Sequence, residues 1–296
     1  MGGNASKDAI SEVFEEDWRE IPMSKEQYLD YVKNYQLHHD EIQQLRILLH
    51  GPVGAGKSSF INSVDTVLQG RISGRALTDG TFGDSFTTEY RTFKIQKEVQ
   101  GTFYPFAFTD IMGLEEGTNK GVTVEDIKLA MKGHVNDRYR FNPTAAISDK
   151  DSGYNKNPSL NDKVHVLLCV VSAETLSLMK PEASADQRDE MTETMRKMRE
   201  VRLAARDLGI PQLAVLTKID EACPVVKEDV GNVYKSTYVK KLIEELSAFL
   251  GIPPSYIFPV KNYHWDITPE DVSDRLILSA LKQMIDFGGD FVNKHM

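Results

Sequence analysis

Apolar residues fall along the chain in short runs that alternate with longer stretches of helical spacing. Leu45-Arg-Ile-Leu-Leu-His50, Val164-His-Val-Leu-Leu-Cys-Val-Val171 and Gln212-Leu-Ala-Val-Leu-Thr217 read as buried strands. Glu89 to Ile95 alternates and Phe103 to Asp110 is more apolar, and Gln100-Gly101 between them supplies a hairpin turn. Tyr256-Ile-Phe-Pro-Val260 is the last strand. Helical spacing begins after Ser24, where Tyr28, Leu29, Tyr31, Val32 and Tyr35 share one face and Ser24 supplies an N-cap. Further helices are expected over 59–68, 122–135, 182–208 (closed by Gly209 and Pro211), 236–250 and 269–287. Strands separated by helices imply an α/β three-layer αβα sandwich, with a mostly parallel central sheet and one antiparallel hairpin strand. Ligands of such sheets sit at the carboxyl ends of the strands. Residues 70–88 and 136–162 lack periodicity, and loops of that length in a compact domain are functional or disordered.

The first strand runs directly into Gly51-Pro-Val-Gly-Ala-Gly-Lys57-Ser58, a full match to G-x-x-x-x-G-K-[ST] with a helix behind it. Gly51, Val53, Gly54, Ala55 and Gly56 would turn backbone N–H groups inward around phosphates, with Ser59 in the first helical turn. The helix presents its N-terminus to the same anion. Lys57 would reach the β- and γ-phosphates, and the Ser58 hydroxyl would ligate Mg²⁺. Two later strands end in motifs. Asp110-Ile-Met-Gly113 places an acid where it can hold Mg²⁺ and a glycine N–H where it can meet the γ-phosphate. Thr217-Lys218-Ile-Asp220 fits [NT]-K-x-D. The Asp220 carboxylate can accept from guanine N1–H and the exocyclic amine together, an interaction adenine does not offer, while the Lys218 stem covers one face of the base. After the last strand, Lys261 and Asn262 lie where a backbone N–H would meet guanine O6. In the loop before the hairpin, Thr87 is the preferred Mg²⁺ ligand, with Thr78, Thr81 and Thr88 as alternatives.

Charge and cysteine content narrow the partners. A net charge of −9 argues against a broad grip on nucleic acid. The 2 cysteines, Cys169 and Cys223, read as free thiols of a reducing compartment. The longest apolar run is far short of a membrane helix, about 20 residues. Met1-Gly2-Gly-Asn-Ala-Ser6 fits the N-myristoylation pattern, with Gly2 as acceptor. One acyl chain beside an acidic segment gives weak, reversible membrane contact. Residues 1–20 read as a flexible acidic arm, and residues 21–296 as one P-loop domain with an N-terminal helix, the 136–162 insertion and a C-terminal helix.

At these motifs the chain resembles P-loop GTPases, which implies GTP/GDP and Mg²⁺ as cofactors. Trp18-Arg19 through the tyrosine helix, Leu48-Leu-His-Gly-Pro-Val-Gly-Ala-Gly-Lys-Ser-Ser-Phe60, Phe108-Thr-Asp-Ile-Met-Gly-Leu114 and Pro259-Val-Lys-Asn-Tyr263 resemble the interferon-induced protein 44 family, over about residues 17 to 290. The resemblance implies a cytoplasmic, interferon-responsive, GTP-binding-like protein linked to antiviral and antiproliferative effects. The additional N-terminal domain of some members is not expected within these 296 residues. Two departures from efficient small GTPases point to slow hydrolysis. Val53 stands where they carry glycine, and Leu114 where many place a glutamine to orient water. A nucleotide-dependent homodimer or another protein partner could supply the missing group, and Arg71, Arg75 and Arg91 are candidates to act in trans, each outweighed by a plain solvated role. The leading expectation is a guanine-nucleotide switch or assembly protein. A P-loop ATPase or kinase and a nucleotide-poor scaffold stand as alternatives.

Overall fold

The computed structural model describes residues 12–76, 88–117, 119–178 and 185–295. Its centre is a six-stranded sheet of order β2-β3-β1-β4-β5-β6. The strands are β1 (Leu45–His50), β2 (Arg91–Gln96), β3 (Phe103–Asp110), β4 (Val166–Ser172), β5 (Gln212–Thr217) and β6 (Ile257–Pro259). Only β2 runs antiparallel, against β3, while β1 lies parallel between β3 and β4. All seven residues of β4 are buried, as a continuous apolar run requires of a strand covered on both faces.

Two groups of helices form the outer layers. Helices α1 (Lys25–Asn34) and α2 (Lys57–Gln69) both pack against α9 (Asp271–His295). The second group comprises α3 (Val124–Met131), α4 (Ala173–Leu178), α5 (Ala185–Asp207) and α8 (Thr237–Leu250), with the short α6 (Ile219–Ala222) and α7 (Pro224–Glu228) at the end of β5. The α/β sandwich expected from the periodicity is the observed architecture.

The helix starts follow local chemistry, with one instructive exception. Ser24 caps α1 in a capping box with Gln27, Thr123 caps α3 in a box with Asp126, and Ser236 caps α8. Helix α2 begins at Gly56, in the left-handed region at φ 85°, with no side chain to take up its first N–H groups. Helix α9 continues to His295, past the expected end near 287, because Leu276, Leu281, Met284, Ile285 and Val292 keep one face buried. Helix α4 was not legible ahead of α5.

Two segments depart from expectation. The described part of the N-terminal arm, residues 12–20, is docked on the domain rather than free. Phe14 N donates to Lys235 O at 2.8 Å, Trp18 N to Tyr234 O at 2.9 Å, and the Arg19 guanidinium to Ile257 O at 2.7 Å. The 136–162 insertion folds as turns and bridges against β2. Tyr90 N donates to Tyr139 O at 2.8 Å, Thr92 N to Asp137 at 2.7 Å, and the buried Asp126 carboxylate accepts from Ile147 N at 2.8 Å. Buried aromatic contacts among Tyr90, Tyr139 and Phe141 complete the packing.

His165 fastens the end of this insertion to β1. Its Nδ1 accepts from Arg46 N at 2.8 Å, and its Nε2 lies 3.2 Å from Leu160 O, the geometry of a neutral ring protonated on Nε2. Burial pushes its pKa down to about 4, and that of the buried His50 to about 3. In the unfolded chain both would protonate near 6.5. Their neutral state therefore favours folding fully above that value, and the contribution fades as pH falls toward the depressed folded values. Denaturant unfolding at pH 7 and pH 5 should show a loss of about 2 kcal/mol for each histidine. His165→Asn, whose amide oxygen can still accept from Arg46, should remove its share of that slope.

Candidate nucleotide site

The loop after β1 is shaped by glycine. Gly54 and Gly56 have φ of 72° and 85°, which side chains disfavour. A Cβ on Gly51 would fall 2.0 Å from Val170 O on the neighbouring strand. Residues 51–56 can thus curl tightly over the start of α2, which has no side-chain cap, so that the loop and the positive end of the helix face one concavity. The carbonyl side of the loop is satisfied by the protein. The buried Lys57 ammonium donates to Gly51 O at 3.3 Å and Pro52 O at 3.0 Å.

The other motif loops attach to this one. Thr217 Oγ1 donates to Ala55 O at 2.6 Å, and Asn262 Nδ2 to Gly56 O at 3.3 Å. A Cβ on Gly56 would press to 3.0 Å from Asn262 Nδ2, and the φ of 85° already favours glycine there. Tyr263 N donates to Ser63 Oγ on α2 at 3.0 Å. Ser58 Oγ donates to Asp110 Oδ2 at 2.5 Å, and Ile111 N holds the second carboxylate oxygen at 3.0 Å. A buried hydroxyl and a carboxylate are hard oxygen donors that suit Mg²⁺, whose remaining ligands would be water and phosphate. Among the described residues no cluster of three or more His, Cys, Asp or Glu could form an all-protein metal cage.

The Asp110-x-x-Gly113 segment lies on the phosphate loop. Leu114 N donates to Gly51 O at 3.0 Å, and Val53 N to Leu114 O at 3.3 Å. Gly113 meets Val53 so closely that a Cβ there would fall 2.5 Å from Val53 Cγ2 and 2.8 Å from its backbone nitrogen. Leu114 itself is buried. Beyond it, Lys197 Nζ on α5 donates to Glu115 O at 2.7 Å, and Gly117 N donates to Glu193 at 3.1 Å.

The residues expected to read the base lie at the end of β5. Lys218 adopts the left-handed conformation, φ 56°, and opens α6, on which Asp220 follows. Burial raises the Asp220 pKa, against the lowering pull of Lys261. The Lys261 side chain turns to Asp266 at 3.1 Å and Glu270 at 3.2 Å. Asn262 Oδ1 is buried without a hydrogen-bond partner.

Every expected site residue from Gly51 to Ser59, with Asp110, Gly113, Thr217, Lys218, Asp220, Lys261 and Asn262, sits in the loops, strand ends and first helical turns at this end of the sheet. Thr87 and Gly2 lie outside the described residues. Of the arginines considered for action in trans, Arg75 bonds Asp65 of its own chain at 3.2 Å, and the Arg91 guanidinium lies 5.2 Å over the Phe93 ring. One contributor carried no sequence signal: Asn62 on α2, whose amide both donates to Ala76 O and accepts from Ala76 N at 2.8 Å, anchoring the chain before residue 77.

The contact of Gly113 with Val53 makes a testable demand. Gly113→Ala should separate the bridge between residues 113–114 and the phosphate loop. Hydrogen exchange at Leu114 and Val53 should then speed by tenfold or more, about 1.4 kcal/mol of local stability, while the β4 amides keep their protection.

No family model matches the chain. The chain is 32% identical to human (Homo sapiens) interferon-induced protein 44-like over 261 residues, 88% of this chain and 55% of that protein. It is 34% identical to mouse (Mus musculus) interferon-induced protein 44 over 276 residues, 93% of this chain and 62% of that one. The chain thus spans a little over half the length of the curated relatives it matches. The resemblance expected from the motifs holds over about nine-tenths of the chain. Among solved structures, the chain is similar to chloroplast translocon components atToc33 and psToc159, for whose GTPase activity dimerization is important, at 15% identity, 88% coverage of each chain and a TM-score of 0.46.

Proposed function

We propose that this homologue of the interferon-induced protein 44 proteins is a guanine-nucleotide-binding switch or assembly protein that hydrolyses GTP slowly or with a partner's help. The observation that carries the proposal is the attachment of the base loops to the phosphate loop, through Thr217 on Ala55 O and Asn262 on Gly56 O. One cleft then serves both ends of a nucleotide. Glycine N–H groups and Lys57 hold the phosphates, and the Asp220 carboxylate reads the guanine edge while the Lys218 stem covers one face. Ser58 and Asp110 would hold Mg²⁺, which when bound offsets phosphate charge. Burial raises the Asp220 pKa while Lys261 pulls it back, and pairing with two guanine N–H donors calls for the carboxylate form.

Slow turnover follows from the γ-phosphate side of the cleft. Val53 fills the space against Gly113, and the buried Leu114 has no group that can hold an attacking water. The loop carrying them is held by Glu193 and Lys197 of α5, so its rearrangement on nucleotide exchange would be felt by that helix. A second copy or another protein would complete the site. An antiviral role in the cytoplasm, and reversible membrane contact through an acylated Gly2, complete the proposal by resemblance and by the N-terminal pattern.

Asp220→Asn tests the base-reading role. Its amide can donate to the 2-oxo group of xanthine but cannot accept two guanine N–H bonds. GTP affinity should fall at least tenfold, about 1.4 kcal/mol, and XTP affinity should rise. Unchanged GTP affinity would remove the guanine assignment.

A further inference from the structure

The chain between Asn262 and Asp271 is a short loop with a polar frame and an apolar tip. It starts on the phosphate loop, through Asn262 to Gly56 O. Lys261 bonds both Asp266 and Glu270, and the second Asp266 oxygen accepts from His264 N at 3.2 Å. The Tyr263 hydroxyl donates to Asp274 at 2.6 Å and accepts from Glu270 N at 2.8 Å. This network stiffens the frame, yet it lifts Trp265 and Ile267 into water, 86% and 90% exposed. Among the described residues, the Trp265 ring meets the His264 ring in a T-shaped contact at 4.8 Å. The other tryptophan of the chain, Trp18, packs against Tyr234 at 5.0 Å. The position of Trp265 is specific. In sequence it follows Lys261 and Asn262, the latter bonded to the phosphate loop, and precedes Asp266, the partner of Lys261, and the charges of Lys261 and Asp266 are both felt by the Asp220 carboxylate.

A base held edge-on by Asp220 exposes two faces, and the Lys218 stem covers one. We propose that Trp265 closes over the second face, so that the guanine ring is sandwiched between the Lys218 stem and the indole. The proposal rests on the nucleotide reading above and deepens it by dividing the work between two residues. Every purine has a π-face, so stacking raises affinity without choosing among bases. Choice remains with the hydrogen bonds of Asp220. Stacking also gives an indole otherwise held in water a flat apolar surface to cover.

A Trp18→Phe variant leaves Trp265 as the single indole reporter. Titrated with Mg·GDP, its emission should be quenched and its access to acrylamide reduced, along the same isotherm that calorimetry gives, whatever the protein concentration. In the otherwise unchanged chain, Trp265→Ala should weaken Mg·GDP and Mg·GTP alike, by about fivefold or more. Trp265→Phe should recover most of that loss, and Ile267→Ala should not reproduce it. Calorimetric binding with unaltered emission and unaltered Trp265→Ala affinity would overturn the proposal. Protection that grows only as the chain self-associates would also overturn it, and would assign the tip to a second copy. If the unaltered chain binds no nucleotide, the proposal falls together with the reading it rests on, and calorimetry alone separates that case from the others.

Discussion

A loop that turns its N–H groups inward to hold phosphate must place its carbonyl groups elsewhere, because buried polar backbone is costly to leave unpaired. In this chain the carbonyls of Gly51, Pro52, Ala55 and Gly56 all accept hydrogen bonds from beyond the curl of the loop: from Leu114 N and Lys57, from Lys57, from Thr217 and from Asn262. That constraint organises the site. Besides Lys57 of the loop's own motif, the donors Leu114, Thr217 and Asn262 come from three other segments, so the shape of the phosphate loop depends on the ends of β3, β5 and β6. In the proposed reading, specificity for a base and affinity for phosphate share a common scaffold, although no single element carries both.

The same economy explains the closed γ-phosphate side. Residues 113–114 satisfy part of the loop by lying on it, and that approach needs a glycine opposite Val53. Valine at 53 and leucine at 114 give the bridge apolar contact where an efficient hydrolase keeps room for water. In the proposed function, output depends on which nucleotide is held more than on how quickly it is consumed. Helix α5 grips the following residues through Glu193 and Lys197, which gives that loop a physical route to the outer layer of the domain.

How much of this was legible in the sequence depends on how local the cause was. The strands were legible because runs such as 166–172 are buried on both faces, and the α1 start because Ser24 acts within three residues. The motif residues were legible because glycine, lysine and aspartate at fixed spacing follow from phosphate and base chemistry. What was missed depends on contacts distant in sequence. Residues 12–20 and 136–162 are rich in polar residues and lack periodicity, yet they dock through backbone hydrogen bonds to Lys235, Tyr234 and Tyr90, which no local pattern encodes. Asn62 and Tyr263 likewise reveal their roles only when α2 lies beside the chain at 76 and the loop after β6. The extra turns of α9 follow from a partner surface supplied by the sheet and α1.

The central claim is that one cleft holds phosphate and selects guanine. Equilibrium calorimetry of the unaltered chain with Mg·GTP and with Mg·ATP tests it most directly. GTP binding at least tenfold tighter, about 1.4 kcal/mol, is the expected result. Equal affinity for the two nucleotides would contradict it and leave a phosphate loop without a base reader, and binding of neither would leave the loop as architecture alone.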